Sequence, residues 1–200
     1  MKNTANQIKN KVKNSKRGKL FFPDDFAALG TPDAIRLALG KMHKSGLLMR
    51  VAHGIYYYPK KDMKYGNTPI PPTIDEIAYG IAKRDKIRIV PTGSYALNTL
   101  GLSTQVQANA VFITDGAPRR IAVGKGRGIL FKHTSEARSL AYKSRLLMLI
   151  VSALREIGEG KTTPQQLEII KSHLANVSQK ELNTDIQLMP LWVRKLLSSL

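Results

Sequence analysis

Three prolines fall within four residues, at Pro69, Pro71 and Pro72, and they constrain this chain more than any other feature. Proline has no N–H to donate, fixes its own φ and pushes the preceding residue out of the helical region. The stretch Tyr65-Gly66-Asn67-Thr68-Pro69-Ile70-Pro71-Pro72 can therefore be neither helix nor central strand, and it favours an extended course. We read residues 65–72 as a linker between a unit at residues 1–64 and a unit at residues 73–200. Charge divides the chain at the same place. Residues 1–64 carry 14 Lys+Arg against 4 Asp+Glu, whereas residues 65–200 carry 18 against 10, so a third of the chain holds over half of the net +18.

In the first unit, Ala5, Ile8 and Val12 stand at helical spacing in a Lys/Asn-rich surface, which predicts a short amphipathic helix over residues 3–15. Leu20-Phe21-Phe22, bounded by Gly18 and Pro23, reads as a short strand, and residues 24–29 as a helix with Gly30 past its end. The next helix has strong start signals: Thr31 as N-cap, Pro32 at the first helical position and Asp33 in the positive first turn. It runs to Lys44 and stops at Gly46. Ile35, Ala38, Leu39 and Met42 share one face, leaving Asp33, Arg36, Leu37, Gly40, Lys41 and Lys44 outward or on the flanks. Leu37 is apolar on that outer face; we expect it to pack under the following hairpin, with contact to a thymine methyl as the alternative. That hairpin joins residues 47–51 and 55–58 through a three-residue loop, Ala52-His53-Gly54. Alternation along Tyr56-Tyr57-Tyr58 predicts one or two exposed rings.

Helix, strand, helix, tight break, helix, hairpin is the order of a winged helix-turn-helix. In such a module the third helix enters the major groove, where Arg and Lys reach guanine O6 and N7, while hairpin and helix ends hold phosphates. The candidate DNA-binding residues are Thr31, Asp33, Arg36, Leu37, Gly40, Lys41 and Lys44 on the helix, Arg50 and His53 on the hairpin, and Lys60 and Lys61 beyond it. The lysines of residues 2–19 add to the phosphate contacts. The competing reading is that Arg36, Lys41 and Lys44 are only the solvated face of a small α+β domain.

The charge makes polyanions the natural partners: nucleic acid first, with a membrane surface as competitor. Spanning a membrane is not expected. The longest apolar run, residues 146–151, is six residues against the roughly twenty needed, and no apolar stretch follows the Lys-rich start, so we expect a cytoplasmic protein. The absence of cysteine excludes disulfides and thiolate metal sites, and the four histidines lie far apart, so neither metal nor other cofactor is expected.

In the second unit, Thr73 caps a helix over residues 74–83, residues 87–90 read as a strand, and a glycine turn at Gly93 leads into a short helix closed by Gly101. Strands follow at 110–114, 119–123 and 128–132, the last two joined through Gly124-Lys125-Gly126-Arg127, and helices at 135–157, 164–177, 179–185 and 190–200. The last helix, with Trp192, reads as core packing, a docking surface being the alternative. The fold class is thus α+β, a winged helix-turn-helix followed by an α+β domain with a helical tail.

Three catalytic readings of this half fail. The glycine-rich Gly124-Lys125-Gly126-Arg127-Gly128 lacks the phosphate-loop order and has a strand pattern on either side. Ser94 follows a glycine, but no partnered base or second glycine accompanies it. A strand before Gly93-Ser94 also opens nucleotidyltransferase sites, yet the next strand, Val111-Phe112-Ile113-Thr114-Asp115, supplies one carboxylate where two-metal chemistry needs two. We therefore expect no enzyme.

The hairpin segment Leu48-Met49-Arg50-Val51-Ala52-His53-Gly54-Ile55-Tyr56-Tyr57-Tyr58-Pro59, together with Gly93-Ser94-Tyr95-Ala96-Leu97-Asn98-Thr99-Leu100-Gly101-Leu102 and Thr114-Asp115-Gly116, resembles the AbiE-type antitoxins over residues 5–135. Members of that family repress their own toxin–antitoxin operon by binding inverted repeats, and counter a nucleotidyltransferase toxin. The resemblance implies operator-binding roles for Arg36, Lys41, Lys44, Arg50 and His53, self-association on double-stranded DNA, and residues 73–200 acting through a partner rather than by catalysis. An RNA- or ribosome-binding basic protein is the alternative; the Tyr56–Tyr58 run would be its stacking surface.

Overall fold

A computed structural model describes residues 4–62, 66–105, 107–124 and 126–200 of a mixed α+β chain. The chain divides into two compact units, residues 1–81 with 123–125, and residues 82–122 with 126–200. The division falls within a helix rather than at the proline stretch, and Lys64 and Tyr65, at the expected boundary, lie outside the described residues.

In the first unit, helix α1 (Thr4–Lys13) buries Ile8 and Val12, and strand β1 (Leu20–Phe21) leads to a 3-10 helix at Pro23–Leu29. Helix α2 (Pro32–Lys44) follows, then strands β2 (Met49–Ala52), β3 (Ile55–Tyr57), β4 (Lys60–Asp62) and β5 (Thr68–Ile70) and the helix α3 (Ile74–Asp85). Gly30 is not in a left-handed conformation; it is extended, and the side chain of Thr4 lies where a Cβ would stand, 2.7 Å away. The residue is small because α1 begins on top of it. Ile35, Ala38, Leu39 and Met42 turn into a core shared with Ile8, Val12, Phe21, Phe26, Leu48, Tyr56 and Tyr58. Burying one such large aliphatic side chain contributes about 1.5–3 kcal/mol, so this face, more than helix propensity, holds α2 in place.

Three features differ from expectation. The run Tyr56, Tyr57 and Tyr58 is buried, none of the three being more than 9% exposed. The reason is sheet order: β1 pairs with β3 on the side away from β2, so β3 is central. Tyr56 and Tyr58 enter the helical core, while Tyr57 shares its face with Leu20, against which Gly80 of α3 packs. Second, the hairpin loop has two residues, His53 and Gly54 at φ +68°, because Ala52 pairs with Ile55 and the register slips between Arg50 and Ala52. Third, the segment read as a linker forms strand β5, in which Pro69 stands opposite Lys61. A two-stranded ribbon consists only of edges, and edges are where a strand tolerates a residue with no N–H.

The second unit comprises β6 (Ile89–Pro91), α4 (Ser94–Thr99), β7 (Asn109–Thr114), β8 (Arg119–Ala122) and β9 (Gly128–His133), a 3-10 turn at Ala137–Leu140, then α5 (Arg145–Ile157), α6 (Pro164–Leu174), α7 (Gln179–Asp185), a 3-10 turn at Ile186–Leu188 and α8 (Leu191–Ser198). The sheet order is β6-β7-β9-β8; β7 runs parallel to β9, and β8 folds back antiparallel at the edge. Lys125 of the β8–β9 turn lies outside the described residues. The single helix expected over residues 135–157 does not form. Ser144 is an N-cap whose hydroxyl accepts from the Leu147 N–H, so α5 starts at Arg145, and the ten residues before it hold only a short 3-10 turn. The side chain of Asp185, fully buried, accepts backbone hydrogen bonds from Lys143 (3.0 and 3.1 Å) and Ser144 (2.7 Å). It fastens the end of α7 to the start of α5. In α8, Val193 is fully buried and Trp192, Leu196 and Leu197 pack on the same core, as the core-packing reading expects.

Candidate nucleic-acid interface

The outer strip of α2 is set by its inner one. With Ile35, Ala38, Leu39 and Met42 buried, helical geometry leaves Asp33, Leu37, Gly40 and Lys44 along the centre of the opposite face and Arg36 and Lys41 on its two flanks. Thr31 opens the helix by accepting from the Ala34 N–H at 3.4 Å. Asp33 and Arg36 form an exposed ion pair at 2.5 Å, their side chains 89% and 69% accessible. Leu37 is 62% exposed. It does not pack under the hairpin, because the hairpin meets the other flank of the helix. Around Gly40 nothing lies within 4 Å of where a Cβ would be. On one flank, Lys41 borders a groove with Ala5, Asn6 and Lys9 of α1.

The other flank leads to the hairpin through His43, a residue that the outward set of the helix did not include. His43 follows Arg36 by seven positions; its Nδ1 lies 3.3 Å from the Leu48 carbonyl, to which it donates, and its ring meets Tyr56 edge-on. Arg50 pairs in register with Tyr56, so it sits on the same side of the sheet as the helices. There its guanidinium donates to His53 Nδ1 at 2.9 Å and to the Ala52 carbonyl at 3.2 Å. Arg36 and His43 thus lie on the flank of α2 that meets the hairpin, where Arg50 and His53 pair with each other. The signal for His43 was present in its spacing from Arg36.

Lys60 and Lys61 are exposed but belong to β4, not to the hairpin, and adjacent strand residues face opposite ways. The Lys60 stem crosses Gly18, whose φ is +89°, beside Arg17, which donates to the Pro59 carbonyl at 2.9 Å and stacks over Tyr58. The two lysines therefore leave β4 on opposite faces. In the second unit, Asp115 accepts from the backbone and guanidinium of Arg88, both at 2.8 Å, and the guanidinium bond holds its carboxyl below the usual range. The register of β6 and β7 puts this carboxylate of the nucleotidyltransferase reading at the Arg88 end of β6, away from the Gly93 turn, where it is engaged in an ion pair. Among the described residues, no group of three or more His, Asp or Glu could hold a metal ion, and no helix is long and apolar enough to cross a membrane.

A family profile matches residues 7–186, nine tenths of the chain. The chain belongs to DUF6088. This is a family of unknown function, and its profile covers both compact units, so the α2 strip and the Asp185 clasp both fall inside the DUF6088 region. No curated protein matches the chain by sequence. Among solved structures, the crystal structure of the RV2827C protein from Mycobacterium tuberculosis is similar over 98% of this chain and 76% of its own, with a TM-score of 0.50 and 13% identity. At that identity the likeness concerns the fold of this DUF6088 chain alone.

Proposed function

We propose that the first unit of this DUF6088 protein is a winged helix-turn-helix that binds double-stranded DNA sequence-specifically, with α2 in the major groove and the β2–β3 hairpin as its wing, and that the protein is a transcriptional repressor without catalytic activity. The observation that carries the reading is the outer strip of α2: a well-capped helix presents Arg36, Leu37, Gly40, Lys41 and Lys44 together, and its His43 flank meets the hairpin that carries Arg50 and His53. In the groove, Arg36 would reach guanine, with Asp33 holding its guanidinium in place; Arg50 and the lysines would meet phosphates. Burial of Tyr56, Tyr57 and Tyr58 removes the stacking surface on which the RNA reading would draw. The narrower part of the proposal, an antitoxin that autoregulates its operon through an inverted repeat and counters a nucleotidyltransferase, rests on the AbiE-type resemblance. Failure of the full-length protein to relieve the toxicity of the neighbouring gene product would remove it.

Selection of duplexes from a random library, followed by affinity measurement on the winners and on scrambled controls, tests the DNA reading directly. A preference of three orders of magnitude or so for the selected duplex is expected; equal affinity for all duplexes would reduce the protein to a non-specific polycation. Arg50→Ala should weaken binding about equally on selected and scrambled duplexes and flatten the log–log salt dependence by roughly one unit. A loss confined to the selected duplex would make Arg50 a base reader instead.

Gly40→Ala separates the groove reading from that of a merely solvated face. In an exposed helix interior the change stabilises by about 0.5–1 kcal/mol, and no neighbour opposes the added methyl. With α2 in the groove, the same methyl stands where DNA approaches the backbone, so duplex affinity falls while the melting temperature rises. A rise in stability with unchanged affinity would move the DNA off this strip.

A further inference from the structure

We propose that Leu37 is a specificity-determining residue that recognises the C5-methyl group of one thymine; the assignment rests on the groove reading of α2. An isolated exposed leucine is ordinary on a protein surface, but this one is placed at the centre of the strip. It is 62% exposed, so the core does not use it. Its neighbours on the helix surface are Asp33 and Lys41, four residues to either side, and Ala34 and Gly40, three residues to either side, which add one methyl group and no side chain around it. Leucine therefore projects as an apolar knob from a polar strip. Of the groups that base pairs show in the major groove, the thymine methyl alone is an apolar match; the others are hydrogen-bond donors and acceptors, for which leucine offers nothing. Side chains on a helix lean toward its N-terminus, which aims Leu37 back toward the turn of Arg36 and Asp33. The thymine it meets is accordingly expected beside the base pair that Arg36 contacts.

The test uses full-length protein and the duplex it selects from a random library, with each thymine replaced in turn by deoxyuridine, which keeps the hydrogen-bonding groups and lacks only the methyl. Wild-type affinity should fall about fourfold at one position, the value of one buried methyl group. Leu37→Ala should bind the thymine duplex about fourfold more weakly and be indifferent to deoxyuridine there, while Leu37→Met retains the discrimination. Both variants keep helix-forming residues at an exposed position, so folding is not at stake. The assignment is overturned if no thymine is sensitive, or if Leu37→Ala keeps the same sensitivity. If no duplex is selected at all, the groove reading of α2 falls, and this assignment with it.

Discussion

Reversing Arg36 and Lys41 to glutamate together should lower affinity for the selected duplex on the order of a thousandfold while leaving the unfolding curve in place. The size follows from position. The two residues flank the outer strip of α2, so both edges of the surface proposed to face DNA change sign. Removing each cation's interaction with a base or phosphate costs about 1–3 kcal/mol, and the carboxylate put in its place repels the duplex as well. The unfolding curve stays because Arg36 is mostly exposed and its tie to Asp33 is a surface i,i+3 pair, worth a few tenths of a kcal/mol. Fluorescence anisotropy for binding and urea denaturation for stability separate the two effects. Unchanged affinity in the double variant would end the assignment of this helix to the groove.

The other large effect concerns stability, not binding. Asp185→Ala should destabilise the second unit by about 2–4 kcal/mol, because the buried N–H of Ser144 and the half-buried N–H of Lys143 lose their acceptor. That is a large part of the 5–15 kcal/mol typical of a domain, so the helical tail should melt early or not assemble. Asp185→Asn, which keeps one acceptor oxygen, should lose roughly half as much. Thermal and urea unfolding followed through Trp192 fluorescence provide the measurement, since α8 packs on the same core as α5. A loss below about 1 kcal/mol in the alanine variant would mean that the clasp contributes little and apolar packing alone holds the tail.

What the sequence disclosed, and what it withheld, follows the range of the interactions. Helix α2 was legible because its signals are local: Thr31, Pro32 and Asp33 at one end, Gly46 at the other, and a 3.6-residue apolar period between them. The outward set, from Asp33 to Lys44, came with it as the complement of that period. The hairpin was legible from its β-prone runs and Gly54, although the register slip that leaves a two-residue loop was not. The burial of Tyr56 to Tyr58 was illegible because alternation describes a strand with one covered face, and only the pairing of β3 with β1 and the packing of α3 cover the other. The parallel pairing of β7 with β9 and the clasp from Asp185 to residues 143 and 144 link positions too distant in sequence for any local pattern to register. The break before α5 was within reach, since Ser144 three residues ahead of Leu147 is an N-cap signal, but the unbroken apolar run after it drew the helix backward.

The β4–β5 ribbon has a bearing on aggregation. Among the described residues no further strand pairs with either of its outer edges, and open edges are the usual templates for intermolecular pairing. One edge belongs to a strand with adjacent lysines, Lys60 and Lys61, that repel a like-charged copy; the other contains Pro69, which has no N–H to offer. The same prolines that kept this segment from being read as a strand thus make it one that recruits no neighbour along its own edge.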